Sequence, residues 1–180
     1  MLEQLQKIEP TEEVKMAGTW SQSAGKSWCY VLGVYLGDGC VTKNGNKLVF
    51  RMNTIDMDFA LTVKSALKYL STYEAKICTY PVKKSVNLNH ALICSDEILA
   101  KRLIEDTESK TKIPSYVHTA SREEKKAFIS GLMDSEGFIA RAKSERGMHF
   151  FLGFKSCDVW IQNFISILQS IGVKIGKVST

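Results

Sequence analysis

With 180 residues and 44% hydrophobic content, the chain can bury a genuine core as one large domain or two small ones, which excludes a disordered or fibrous polypeptide and points to a soluble globular protein. A formal net charge of +5 and a pI near 8.9 lean toward an anionic partner. Five scattered cysteines (Cys29, Cys40, Cys78, Cys94, Cys157) with no CxxC and no Cys/His cluster, no charged-then-apolar leader and no apolar run near ~18 residues argue against a zinc site, a disulfide frame, a secretion signal or a membrane span, leaving reduced core cysteines in an intracellular, cytoplasmic setting.

Residues 1–26 are polar and mixed, with Pro10, Gly18 and Gly25 interrupting any period, and are expected to form an arm with a short helix at most. Ser27 is a candidate N-cap for an apolar segment that runs to about Gly37, although its β-branched content leaves a buried strand open on periodicity alone. Asn44-Gly45-Asn46 between two short runs predicts a hairpin, with Leu48, Phe50 and Met52 facing a core and Lys47, Val49, Arg51 and Asn53 facing out. A helix is expected from Asp56 to Tyr69, then strands over 74–81 and 86–94 and a third helix from about Asp96 to Ile104. Residues 27–106 thus read helix, hairpin, helix, hairpin, helix, and 107–120, with Pro114, read as a linker.

Residues 121–180 begin the plan again. Ser121 and Glu124 form a capping-box pattern ahead of an apolar run, which settles the helix assignment for both copies. A hairpin follows around residues 143–147, with Phe150, Leu152 and Phe154 expected inward, then a helix from about Asp158 to Ile171 and one strand over about 173–178. This second unit is therefore expected to be short of one strand and one helix.

The two copies carry the chemistry. VLGVYLGDG (residues 31–39) and ISGLMDSEG (residues 129–137) align without gaps at an offset of 98 residues, placing Gly33 on Gly131, Gly37 on Ser135, Asp38 on Glu136 and Gly39 on Gly137. Small residues four apart on one helix face let two backbones approach closely, so Gly33, Gly37, Gly131 and Ser135 are the expected helix interface. Gly39 and Gly137 suit a left-handed position after a helix end. A carboxylate in the last turn is electrostatically misplaced, and two brought together repel unless a cation sits between them. That layout predicts a divalent-metal site for phosphodiester hydrolysis at Asp38 and Glu136.

The doubled motif, each copy opening an α-ββ-α succession, resembles the two signature motifs of a single-chain LAGLIDADG homing endonuclease, and the resemblance covers about residues 27–178. It implies an α+β fold of two pseudo-symmetric αββαββα units, the second truncated, packed through paired motif helices with antiparallel sheets forming a saddle over DNA. It also implies that Asp38 and Glu136 are catalytic and bind Mg²⁺, with Mn²⁺ as a substitute and Ca²⁺ supporting binding without cleavage. The partner implied is double-stranded DNA with a long, asymmetric target, cut in both strands across the minor groove to leave 3′ overhangs. The expected DNA-binding residues are Lys43, Lys47, Arg51, Asn53, Lys76, Lys83, Lys84, Asn87 and Asn89 in the first unit and Arg141, Lys143, Arg146, His149 and Lys155 in the second, since Arg and Lys suit guanine edges and phosphates and Asn suits adenine. Where members of this family often place a lysine before the second helix, this chain has Ile55 and Cys157, with Arg51 and Lys155 nearby, so that role passes to no particular residue. His90 and His118 are read as ordinary histidines.

A monomer is expected, with association through the incomplete second sheet as the other arrangement. The alternative function is a non-cleaving nucleic-acid-binding protein on the same scaffold, an RNA maturase or DNA-binding regulator, but such a binder gains nothing from two close carboxylates near a polyanion. The initial Met and the absence of splicing blocks favour a free-standing or intron-encoded protein over an intein.

Overall fold

The computed structural model describes residues 19–81, 88–144, 147–154 and 160–176. In chain order the elements are α1 (Thr19–Leu36), β1 (Cys40–Asn44), β2 (Lys47–Thr54), α2 (Met57–Leu67), β3 (Lys76–Pro81), β4 (Leu88–Cys94), α3 (Glu97–Asp106), α4 (Ser115–Thr119), α5 (Arg122–Glu136), β5 (Gly137–Ser144), β6 (Gly147–Phe154) and α6 (Ile161–Ser170). The fold is α+β, with a four-stranded antiparallel sheet ordered β1-β2-β4-β3 and a separate β5-β6 hairpin. No described helix is long and apolar enough to cross a membrane.

Local chemistry sets the helix starts. Asp56 Oδ1 accepts from the backbone N–H of Asp58 and Phe59, and Asp96 Oδ1 accepts from Ile98 and Leu99, so each aspartate satisfies two otherwise unpaired donors. Ser121 and Glu124 close a reciprocal capping box, with Ser121 N–H donating to Glu124 Oε2 at 2.9 Å and Glu124 N–H to Ser121 Oγ at 3.3 Å. At the other end of the chain, Gly172 at φ +91° and the bond from Val173 N–H to Leu168 O close α6 in a Schellman turn.

α1 already includes Thr19, so Ser27 lies inside it and does not cap it. Gly25 is accommodated mid-helix because the Glu124 side chain occupies the space where a Cβ would stand. The connection over 107–120 is not a plain linker: it holds a tight turn and α4, and it buries Thr107, Ile113 and Val117. Residues 173–176, which follow the Schellman turn, form no strand, and residues 177–178 lie outside the described set.

One hydrophobic core joins both copies of the motif. Val31, Leu32 and Val34 of α1 share it with Phe50 and Met52 of β2, Phe59 and Val63 of α2, Leu92 of β4, Leu99 and Leu103 of α3, Phe128 and Leu132 of α5, and Phe164 and Ile167 of α6. Leu48, Phe50 and Met52 do share the inward face, but Val49 is buried as well, at 1% exposure. Its cross-strand partner Thr42 has a buried hydroxyl, so the outward face of the sheet is covered at that one pair.

Cys29 and Cys94 are buried, and desolvation pushes the Cys29 thiol up to about 12. Cys40 and Cys78 are exposed rather than in the core, because their pairing with Arg51 and Ala91 puts them on the outward face. Cys157 lies outside the described residues. His90 is buried and has a partner, its Nδ1 lying 2.9 Å from Thr79 Oγ1.

Candidate functional site

α1 and α5 pack along their small residues. A Cβ on Gly33 would land on the Phe128 carbonyl oxygen, one on Gly131 on the Tyr30 carbonyl oxygen, and one on Gly37 on the Ser135 hydroxyl. Ser135 turns that hydroxyl back to the Gly131 and Leu132 carbonyls at 3.0 Å each, which keeps its side chain small toward the partner helix. Tyr30 ties the helices further by donating to Asp134 Oδ2 at 2.8 Å.

This packing brings the ends of the two acid-bearing helices side by side. Asp38 follows the last turn of α1, Glu136 ends α5, and a Cβ on Gly37 would stand 3.0 Å from Glu136 Cγ. Asp38 is exposed and Glu136 half-buried, so both are open to solvent and to a ligand. Desolvation beside the helix ends raises the Asp38 pKa, and the Lys110 ammonium draws it back down.

Gly39 and Gly137 serve space and not a left-handed backbone. Neither has positive φ; Gly137 sits at φ −77° and ψ 151°. A Cβ on Gly39 would stand 2.7 Å from Tyr35 Cα and 2.8 Å from Phe50 Cε2, and one on Gly137 would meet the Met133 carbonyl oxygen. Each glycine lets the chain turn from motif helix into strand against its own preceding turn.

Among the described residues no group of three or more His, Cys, Asp or Glu stands together, so a metal held by Asp38 and Glu136 would need further oxygen ligands from water or substrate phosphates.

Beside the acids, the pairing of the four-stranded sheet sorts the expected contact residues by face. Arg51 and Lys76 flank Ile93, Asn53 and Cys78 flank Ala91, and Asn89 pairs with Tyr80. Lys47, Arg51, Asn53, Lys76 and Asn89 therefore share the outward face. Arg51 is half-buried, and its Nε has no hydrogen-bond partner among the described residues. Tyr80 belongs with this set although sequence reading passed over it. It accepts from Asn89 Nδ2 at 2.7 Å and reaches Asn53 Oδ1 at 3.4 Å, and the two-residue alternation from Lys76 was the signal that points to it.

Lys43 departs from the expectation: it pairs with Leu48 and so lies on the inward face, exposed only because it is beyond the edge of the core. In the second hairpin Arg141 pairs with Phe150, Lys143 with Met148 and His149 with Ala142. Turn length sets these pairings, since it decides which parity of one strand meets which parity of the other. Gly45, at φ +60° in a two-residue turn, sets the first hairpin, and the Ser144–Gly147 pair closes the second. Lys83, Lys84, Asn87, Arg146 and Lys155 lie outside the described residues, as does Asp158.

Sequence reading also missed Lys110, which the turn after α3 carries to the end of α1. Its Nζ donates to the carbonyls of Gly37 at 2.5 Å and Gly39 at 3.2 Å, on either side of Asp38. No periodicity or motif marks it.

No protein-family model matches the chain, and no curated protein matches it. Among solved structures it is similar to several of the homing endonuclease I-DmoI. One, from work on mesophilic variants, is 15% identical with a TM-score of 0.44, over 83% of this chain and 96% of that one. A variant of I-DmoI in complex with its target DNA in the presence of magnesium is 15% identical with a TM-score of 0.45, over 83% and 97%. I-DmoI in complex with DNA and manganese is 14% identical with a TM-score of 0.43, over 84% and 99%.

Proposed function

We propose that this protein is a site-specific endonuclease of double-stranded DNA that cuts both strands of a long, asymmetric target, with a divalent metal held by Asp38 and Glu136. The observation that supports the reading is the close packing of α1 and α5 at Gly37, where a Cβ would stand 3.0 Å from Glu136 Cγ, each helix end carrying an acid. Two carboxylates that share a phosphate site repel each other, and a dication with phosphate oxygens relieves such repulsion. When bound, Mg²⁺ supplies Lewis-acid stabilisation of charge on the phosphate and an activated water. Asp38 and Glu136 hold it, one acid toward each strand. Lys47, Arg51, Asn53, Lys76 and Asn89 bind bases and phosphates from the adjoining sheet face. Because both acids lie on one chain, a monomer suffices.

The test is a plasmid library of candidate sites incubated with the protein and Mg²⁺, with double-strand ends mapped. Asp38→Asn and Glu136→Gln abolish double-strand cleavage, while binding of the mapped site in Ca²⁺ stays nearly intact, because the acids contribute metal ligation and little DNA contact. Wild-type cutting by either variant overturns the metal assignment. A wild-type chain that binds a site and cuts it with neither Mg²⁺ nor Mn²⁺ belongs to the binding-only class.

A further inference from the structure

The turn after α3 is built in an uncommon way. Glu108, Ser109 and Lys110 have φ of 46°, 59° and 74°, three successive L residues in the left-handed region, which such residues enter singly and at a cost. Backbone of this kind persists only when its surroundings over-determine it. Here Thr107, fully buried, is the pin: its hydroxyl donates to Leu103 O at 2.7 Å and accepts from Lys110 N–H at 3.0 Å. Ser109 N–H donates to Ile104 O and Thr111 N–H to Thr107 O, each at 2.9 Å.

The product of this turn is the position of one ammonium. Lys110 Nζ donates to the carbonyls on both sides of Asp38 and lies 5.7 Å from the centroid of the Tyr35 ring. The end of α1 carries the negative pole of the helix, and Asp38 adds a full negative charge to it. A cation at this spot answers both.

We infer that Lys110 is the positioning residue of the first acid, a resident cation that holds the backbone around Asp38, and with it the carboxylate, before any divalent ion binds. The part of this inference that concerns metal rests on the function proposed above. An ion binding at Asp38 then does so beside an existing positive charge, and removing that charge leaves more for the ion to stabilise.

The experiment is a double-mutant cycle on the intact chain, comparing wild type, Lys110→Met, Asp38→Asn and the double variant by melting temperature in EDTA. Lys110→Met lowers the melting temperature by about 2–4 °C more when Asp38 is present than in the Asp38→Asn background, the scale of a coupling of this size in a chain of this length. Lys110→Arg, which keeps the charge, recovers part of the loss. Mn²⁺ then raises the melting temperature of Lys110→Met by more than that of wild type. Should Lys110→Met not fold, Lys110→Gln serves in the same cycle, keeping a donor without the charge. Additive losses in EDTA, or an Arg variant no better than Met, overturn the inference and leave Lys110 as a helix cap alone. An absence of any Asp38-dependent response to Mn²⁺ counts against the metal site instead, and the cycle in EDTA decides the role of Lys110 without it.

Discussion

Gly33 and Gly131 press on each other's helix backbone: a Cβ on Gly33 would stand 2.8 Å from the Leu132 nitrogen and 3.2 Å from the carbonyl carbon of Gly131. Backbone atoms cannot swing aside as a flexible side chain can, so any substituent must move a whole helix. Alanine at either position is therefore expected to cost about 1–3 kcal/mol, and leucine more. Each kcal/mol lowers the melting temperature by roughly 2–4 °C at this chain length. Melting curves for Gly33→Ala and Gly131→Ala that overlay wild type would contradict the close contact.

Tyr30 offers a pH test of the same seam. Burial, and then the hydrogen bond to Asp134, raise its phenol pKa far above the ordinary value near 10. The sign follows from proton binding. The folded state keeps the phenolic proton more tightly than the unfolded state, so this contribution is fully present below the unfolded pKa and is lost as pH rises above ~10 toward the folded value. Tyr30→Phe is expected to cost about 0.5–1.5 kcal/mol near neutrality, the net worth of the lost hydrogen bond, because Asp134 is exposed and water can replace the donor. It should also flatten the alkaline loss of stability. Denaturant titrations at pH 8 and pH 11 measure both, and equal alkaline slopes would exclude Tyr30 as the titrating group.

Asp96 is the buried counterpart of Asp56, at 6% exposure, and caps α3 with the two bonds to Ile98 and Leu99 at 3.0 Å. Asp96→Ala is expected to lose about 0.5–2 kcal/mol, toward the upper end because the freed N–H groups are partly shut away from water. Asp56→Ala, whose cap is exposed, should cost less. Urea unfolding of the two variants side by side ranks them.

Under the proposed function, the two sheets predict a lopsided footprint on the target. Four strands present Lys47, Arg51, Asn53, Lys76, Tyr80 and Asn89 on one face, whereas among the described residues the second unit has two strands. Base substitutions in the half-site under residues 40–94 are expected to weaken binding by about 1–3 kcal/mol per lost good contact, and those under residues 137–154 by less. Profiling all single-base variants in Ca²⁺ tests this, and equal sensitivity in both halves would refute it.

Much of this architecture was legible because it is local. Hydrophobic period, Asp and Ser caps and the Gly45 turn act within a few residues of themselves, and they place α2, α3, α5 and both hairpins close to where the sequence puts them. Gly33 aligned with Gly131 at a fixed offset pointed to a pair of contacts neither segment could announce alone. Face assignment was less legible. Lys43 looks outward from its own strand, yet cross-strand register puts it opposite Leu48.

By itself, then, the sequence determined the order of the elements, the caps that begin the helices, and the two acids with their small-residue faces, all of which depend on short-range backbone geometry and side-chain volume. Only the tertiary structure decided that Lys110, 72 positions after Asp38, would sit across its flanking carbonyls, and that Gly39 and Gly137 are needed for room and not for a left-handed turn. The reason is physical: charge compensation and steric exclusion act through space, and which groups meet is fixed by how helices pack and strands pair, a property that no window of residues contains.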